Sequence, residues 1–244
     1  MPRPPRTESP GGIHHVWQRG NNKQLIFSDA HDRRMFLRLL QEVGRKYRWE
    51  CLGYCLLDNH FHLILETVET TLGAGMRALD SRYAHWFNER HDRVGHLFQA
   101  RFGSKLVTTD EQFAQLLRYV ARNPVRAGAC DDPGAWQWSS HRALMTNVAH
   151  PLVAVSRVTE LLSPYGGEPG RRYPRLFEGR GPLQHLDPDG SPWEIRPTLL
   201  EIFASEEDQL AAMRRARQHD YRLAEIAAHA GVTESTVCRR LKRV

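Results

Sequence analysis

The stretch LLDNHFHLILE, Leu56 to Glu66, decides the fold and raises the question of function. Its apolar residues predict a buried strand, yet His60 and His62 stand two positions apart within it. Successive side chains of a strand point to opposite faces, so these imidazoles share one face, ~6–7 Å apart along the strand. Phe61 and Leu63 alternate with them and belong to the other face.

The segments on either side predict the element order β-α-β-β-α-β-α. Strands are predicted over 12–20, 50–58, 60–67 and 95–108, with a tight turn at Asp58–Asn59. Helical spacing of apolar residues predicts a helix capped by Ser28, a second over 70–91, and a third from Asp110 that stops before Pro124. This order is typical of the ferredoxin-like split βαβ fold, an α+β class with an antiparallel sheet and helices on one face.

The 244 residues divide into four predicted segments. Residues 1–12 are a disordered leader, 13–150 the α+β domain, 151–205 a Gly- and Pro-rich linker or irregular region, and 206–244 a helical module. A hydrophobic content of 41% and a charged content of 25% indicate a packed core and exclude disorder of the whole chain.

Composition also restricts the compartment and the partners. No apolar run approaches the ~20 residues of a membrane helix, and the N-terminus has no apolar signal region. Four cysteines at 51, 55, 130 and 238 fit neither a zinc cluster nor a disulfide framework. The sequence therefore predicts a cytoplasmic protein without a membrane partner.

His60 and His62 are a candidate metal pair, provided that another element supplies a third ligand. The alternative is two surface histidines on the open face of the sheet. In the third predicted helix, Tyr119 and Asn123 are four residues apart and share a helical face. The Tyr119 phenol could attack a phosphate, or the residue could be a half-buried core tyrosine. An amide oxygen from Asn123 beside two imidazoles favours Mg²⁺ or Mn²⁺ over zinc.

Several motifs follow one another in the chain: HVWQRGNN, DNHFHLIL, YAHWFNERH, GHLFQARFGSK, RYVARNPVRAG and WSSHR. In order and spacing, residues 13 to 145 resemble the one-tyrosine HUH transposases, which include the REP-associated tyrosine transposases. The resemblance implies that His60, His62 and Asn123 hold Mg²⁺ or Mn²⁺ and that Tyr119 is the nucleophile. Some members have glutamine where Asn123 stands.

The activity implied by the resemblance is the cleavage and rejoining of single-stranded or hairpin DNA through a 5′-phosphotyrosine. Related transposases include homodimers that share sites and monomers, so either state is expected. Arg118, Arg122 and Arg126 flank the tyrosine and could contact DNA phosphates, because arginine forks match phosphate oxygens. Solvated surface charge is the alternative for these arginines.

The C-terminal end is the most basic part of the chain. From Ala211 onward, eight Lys and Arg stand against three Asp and Glu, so this end carries +5 of the net charge of +6. The last 24 residues resemble a bacterial helix-turn-helix, with Gly231 at the turn and Thr233 capping the second helix. The residues predicted to face a major groove are Ser235, Thr236, Arg239 and Arg240. Duplex DNA binding is the favoured prediction, and a helical packing module is the alternative.

Two other functions are compatible with these residues. A non-catalytic DNA-binding regulator derived from a transposase would need neither Tyr119 nor the histidine pair, and the presence of all three argues against it. A metal-dependent hydrolase of small phosphoesters would use the metal site without forming a covalent adduct.

Overall fold

The computed structural model describes residues 9–178, 199–206, 208–218 and 223–242. They form two compact units. The first contains the chain up to Pro124 and the segment that begins at Asp131. The second contains residues 125–130 and the C-terminal helices. Most of the predicted leader lies outside the described residues.

A four-stranded sheet organises the first unit. Its strands in chain order are β1 (Ile13–Arg19), β2 (Trp49–Leu56), β3 (His60–Thr67) and β4 (Gly103–Val107). Neighbouring strands are all antiparallel, in the spatial order β2-β3-β1-β4. The predicted tight turn joins β2 to β3, where Leu57 donates its N–H to the carbonyl of His60 at 2.9 Å. The predicted α+β class with an antiparallel sheet is confirmed.

Three long helices flank the sheet: α1 (Ala30–Tyr47), α2 (Leu72–Arg90) and α3 (Asp110–Arg126). Helices α1 and α2 lie on one face, where the Phe36 ring of α1 is 4.7 Å from the Phe61 ring of β3. Helix α3 lies on the other face, because Tyr119 contacts His62, which points away from Phe61. The sheet is therefore covered on both faces, whereas the sequence had predicted helices on one face only.

The start of α1 differs from its prediction. Asp29, not Ser28, is the cap, and its carboxylate accepts the N–H groups of His31 at 2.8 Å and Asp32 at 3.0 Å. A carboxylate at this position satisfies two of the unpaired N–H groups of the first turn. The side chain of Asp32 is itself buried and accepts the N–H of Ser28 at 2.7 Å.

Two later boundaries also differ from their predictions. Only Gly103–Val107 of the predicted strand over 95–108 pairs along β1, and the preceding Leu97 and Phe102 are buried in the core instead. Helix α3 passes through Pro124 and ends at Arg126. Proline removes one N–H from a helix, and this loss is tolerated here in the last turn.

Part of the predicted linker belongs to the first unit. After the short helix α4 (His141–Thr146), the segment that the sequence assigned to a linker forms α5 (Val155–Leu161) and α6 (Pro169–Arg175). Val153, Val158 and Leu162 are buried, and Val153 bridges to Cys51 of β2. These apolar residues attach the segment to the core, while its 179–198 part lies outside the described residues.

The second unit contains four described helices: α7 (Leu199–Ser205), α8 (Gln209–Gln218), α9 (Leu223–Ala230) and α10 (Glu234–Lys242). Their shared apolar core consists of Ile202, Ala212, Met213, Ala216, Ile226, Ala227 and Val237. Gly231 has a φ of 65° between α9 and α10. The helix-turn-helix assignment stays a prediction. None of the helices in the described ranges is long and apolar enough to span a bilayer.

Candidate active site

The histidine pair lies on the face of β3 that α3 covers. In the strand register, His62 is opposite Trp17 and His60 is opposite Arg19, both on β1. The two imidazole rings are 5.3 Å apart and nearly perpendicular, at 89°. His62 is buried and His60 is half-buried, so this sheet face is not the open surface of the alternative prediction.

Helix α3 brings Tyr119 to this pair. The Tyr119 ring centroid lies 5.3 Å from that of His62, with the ring planes at 85°. It also lies 5.8 Å from the ring of His15. Tyr119 is half-buried and therefore retains access to solvent. The structure thus places Tyr119 beside the paired imidazoles, although α2 and β4 separate them in the chain.

Asn123, one turn after Tyr119, reaches the other histidine. It is buried, and its Oδ1 lies 3.1 Å from Nε2 of His60. The second ring nitrogen of His60, Nδ1, lies 2.7 Å from Oδ1 of Asn59. Asn59 donates its side-chain N–H to the carbonyl of Lys23 at 3.1 Å, which assigns its Oδ1 as the acceptor for His60. Nδ1 of His60 therefore carries the proton, and Nε2 presents a lone pair towards Asn123.

The spacing between His60 and Asn123 fits a divalent cation bound between them. Two lone-pair atoms, Nε2 of His60 and Oδ1 of Asn123, face each other at 3.1 Å. An octahedral Mg²⁺ with bonds of ~2.1 Å holds neighbouring ligands about 3 Å apart, so the spacing and the donor types fit. The reversed orientation of the Asn123 amide would instead donate to Nε2. Among the residues described, no cluster of three or more His, Cys, Asp or Glu could hold a metal, so the candidate set depends on an amide oxygen.

A third imidazole at this site was missed by the sequence analysis. Nε2 of His15 lies 3.0 Å from Nδ1 of His62, and His15 is 2% exposed. Strand alternation places His15, Trp17 and Arg19 on one face of β1. That pattern was visible in the sequence, but only the pairing of β1 with β3 shows that His62 lies on the same face.

Burial and nearby cations keep the imidazoles of His15 and His60 neutral. Loss of hydration lowers the pKa of His60 to about 4, and the charge of Arg19 lowers it further. Asn123 opposes this shift, because its Oδ1 would accept a hydrogen bond from Nε2 of the protonated ring. Burial also lowers the pKa of His15 to about 3, with a further contribution from Lys105. Neutral imidazole is the form that binds metal ions, so no proton would have to leave before a cation enters.

The arginines around Tyr119 differ in their surroundings. Arg118 is only 6% exposed, so it is not the solvated surface charge of the alternative, and its contact with a DNA phosphate stays a prediction. Helix α3 buries residues on a broad surface that includes Leu117 and Val120, and Arg118 lies within it. Arg122 and Arg126 are half-buried and retain access to solvent, so the prediction that they contact DNA still stands for them.

The residues predicted to read a major groove lie on α10. Ser235 and Arg239 are exposed, whereas Thr236 and Arg240 are half-buried. The Thr233 hydroxyl accepts the N–H of Thr236 at 3.3 Å, as a helix cap does. Arg240 donates to Oε1 of Gln209 on α8 at 2.6 Å. Arg239 is therefore the more accessible of the two arginines.

Known proteins share this arrangement of sequence and fold. The family model described as "Transposase IS200 like" matches residues 10–123, a range that contains both histidines of the pair, Tyr119 and Asn123. A protein of Haemophilus influenzae, named as a REP-associated tyrosine transposase, is 25% identical over 120 residues, which cover 44% of this chain and 68% of that protein.

One solved structure is similar to this chain in its fold. The structure of a REP-associated tyrosine transposase bound to a REP hairpin has a TM-score of 0.53 and 18% identity, and the match covers 63% of this chain and 92% of that one. At this identity the likeness concerns the fold. The match over residues 10–123 shows that this part of the chain is similar in sequence to the IS200-like transposases.

Proposed function

We propose that this chain cleaves and rejoins single-stranded DNA through a covalent bond between Tyr119 and a 5′ phosphate. One observation carries the proposal. The Tyr119 ring lies 5.3 Å from that of His62 while Asn123, one turn later, places its Oδ1 3.1 Å from His60. The proposed nucleophile and the proposed cation ligands thus lie next to one another, as phosphoryl transfer requires.

The proposed step is a phosphoryl transfer. The phenol oxygen of Tyr119 attacks the phosphorus, the bond from phosphorus to the 3′ oxygen breaks, and the 3′ oxygen leaves as a hydroxyl after gaining a proton. A phenol has a pKa near ~10, so its proton must pass to a base or to water during the attack. The new phosphotyrosine is a diester like the bond it replaces, and a second 3′-hydroxyl can reverse the step and join strands without ATP.

His60, His62 and Asn123 would hold the divalent cation, Mg²⁺ or Mn²⁺. When bound, the cation would polarise the scissile phosphate and offset charge on the departing oxygen. We assign Nε2 of His62 to the cation, because its Nδ1 faces His15 at 3.0 Å. This assignment requires Nδ1 of His62 to donate its proton to Nε2 of His15. His15 would then fix the tautomer and the ring orientation of a ligand, as outer-shell partners of metal-bound histidines do.

We also propose the substrate and the division of labour in the chain. The solved relative bound to a REP hairpin makes hairpin DNA the first substrate to test. The domain of residues 13–150 would act on the single-stranded or hairpin DNA. The helices of 206–244 would bind duplex DNA through exposed groups such as Arg239. Since the chain offers one nucleophilic tyrosine, it would hold one covalent strand at a time.

The test is to trap the covalent adduct. Labelled single strands with and without hairpins are incubated with the full chain and Mg²⁺ or Mn²⁺, then separated under denaturing conditions and sequenced. We expect a denaturant-resistant protein–DNA species whose linkage maps to Tyr119 by mass spectrometry. Tyr119→Phe should form none, whereas Tyr47→Phe, a half-buried tyrosine on α1, should form it normally.

The same experiment separates the rival functions. Hydrolysis of small phosphoesters without an adduct would favour the phosphoesterase. Hairpin binding with no adduct under either metal, equally in the wild type and in Tyr119→Phe, would favour the non-catalytic regulator.

A further inference from the structure

Trp17 occupies an unusual place for a tryptophan. It lies on β1, and its partners in the strand register are His62 on one side and Gly103 of β4 on the other. Residues directly opposite in antiparallel strands point to the same face. Trp17 therefore lies on the sheet face that carries the histidine pair, one strand away from it.

The indole lies across the backbone of β4 at Gly103. A Cβ added to Gly103 would fall 2.2 Å from Cε2 and 2.5 Å from Nε1 of Trp17. No side chain can occupy that space while the ring stays there. The absence of a side chain at Gly103 thus allows the ring of Trp17 to lie along the sheet surface, on the face that carries the histidine pair.

Trp17 differs from the other described tryptophans in its packing. Trp49 is buried in the main hydrophobic core, and Trp86, Trp136 and Trp138 pack against that core. Within the described ranges, Trp17 is the one tryptophan outside this cluster, and it is half-buried. Its ring centroid lies 4.9 Å from that of His15, with the ring planes at 39°. Core packing therefore does not explain this side chain.

Two cationic residues share this sheet face with Trp17. Lys105 of β4 is exposed and lies opposite His15 in the register, two residues along from Gly103. Arg19, two residues along β1, lies opposite His60. An aromatic ring between cationic side chains is the arrangement by which proteins hold single-stranded nucleic acid, because bases stack on the ring while phosphates meet the charges.

We propose that Trp17 is a stacking platform for one nucleobase of the strand that enters the pocket, with Lys105 contacting an adjacent phosphate. This rests on the proposed function in one respect, namely that the ligand is single-stranded DNA. The base-binding subsite on β1 and β4 is distinct from the residues proposed for catalysis and lies beside them. The alternative is that Trp17 only shields His15 from solvent.

The test combines Trp17 variants with oligonucleotides that lack single bases. All chains carry Tyr119→Phe, so that binding is measured without cleavage. The oligonucleotides share one sequence and differ in the position of one abasic site. In the parent chain, we expect one position at which loss of the base weakens binding roughly 5- to 150-fold, the value of one base–aromatic stack.

Trp17→Ala should weaken binding of the intact strand by the same factor and should be insensitive to that abasic position. Trp17→Phe should retain part of both effects. Gly103→Ala, which keeps the tryptophan but occupies the space beneath its ring, should reproduce Trp17→Ala. The matched control is Trp86→Phe, on α2 at the opposite sheet face, which should retain the full sensitivity.

Two results would overturn the inference. Trp17→Ala could bind every strand as tightly as the parent chain. Alternatively, it could lose the same factor for the intact strand and for every abasic strand, which indicates a structural role at His15. Failure of the proposed function is seen separately: chains that retain Tyr119 would form no adduct, whether or not the base-specific effect is present.

Discussion

The two faces of β3 show how one strand serves two purposes. On one face, Phe61, Leu63 and Leu65 are fully buried, and the Phe61 ring contacts Phe36 of α1 at 4.7 Å. On the other face, His60 and His62 meet polar and aromatic groups of β1 and α3. The first face supplies apolar burial, which stabilises the fold without directional contacts. The second face makes directional contacts between polar groups. These contacts require β3 to be held in place, and the burial of the first face does this.

The largest expected effect is a loss of strand cleavage without a loss of stability. Tyr119→Phe removes one hydroxyl from the face that carries the histidine pair and should lower strand cleavage on the order of 10⁴-fold or more, because the proposed nucleophile is lost. The free energy of unfolding should change little, since the ring and its contacts with His62 stay. Cleavage rates and urea denaturation of the same preparation measure both. If Tyr119→Phe lost its activity because it unfolds, the two faces of β3 would not differ in their roles in chemistry and stability.

The reciprocal change on the apolar face is Phe61→Ala. It should lower the free energy of unfolding by about 3–5 kcal/mol, because the cavity lies among Phe36 and other buried side chains. Chemical denaturation gives the value, and Val68→Ala, at a side chain 47% exposed just after β3, is the control. Equal effects at the two positions would contradict the assignment of Phe61 to the core.

A smaller effect should follow from His15→Ala. Removing the partner of His62 Nδ1 should weaken Mn²⁺ binding about 10- to 100-fold, which is typical for outer-shell partners of metal ligands. Isothermal titration calorimetry measures this directly, without DNA. His141→Ala is the matched control, because His141 is also buried and lies 2.9 Å from the hydroxyl of Tyr173, away from the candidate site. Equal losses in both variants would mean that His15 acts through general stability.

The smallest effect extends the comparison to the second unit. Arg239 is exposed on α10, and Arg239→Ala should reduce the dependence of duplex DNA affinity on salt by about one unit of slope. Cleavage of single strands should be unchanged. Binding titrations at several salt concentrations give the slope, with Arg45→Ala at an exposed position of α1 as the control. An unchanged slope would favour the alternative of a helical packing module.

Local patterns were enough to predict much of the site. Alternation along β3 placed His60 and His62 on one face, and helical spacing placed Tyr119 and Asn123 together, as the structure shows. The contribution of His15 could not be predicted, because it depends on which strand pairs with β3. The burial of Arg118 was missed for a related reason: helix α3 is buried over more of its circumference than its apolar residues alone indicate.

The sequence by itself determined the local geometry, namely which side chains share a strand face or a helix face, because the periods of 2 and 3.6 residues are properties of the backbone. It also determined the α+β class, through the order of its elements. The tertiary structure decided which faces meet. The strand order β2-β3-β1-β4 brings His15 and Trp17 beside His62, and α3 lies across that face with Tyr119 and Asn123. Contacts between distant segments depend on how all the apolar faces are buried at once, and no single stretch of the chain contains that information.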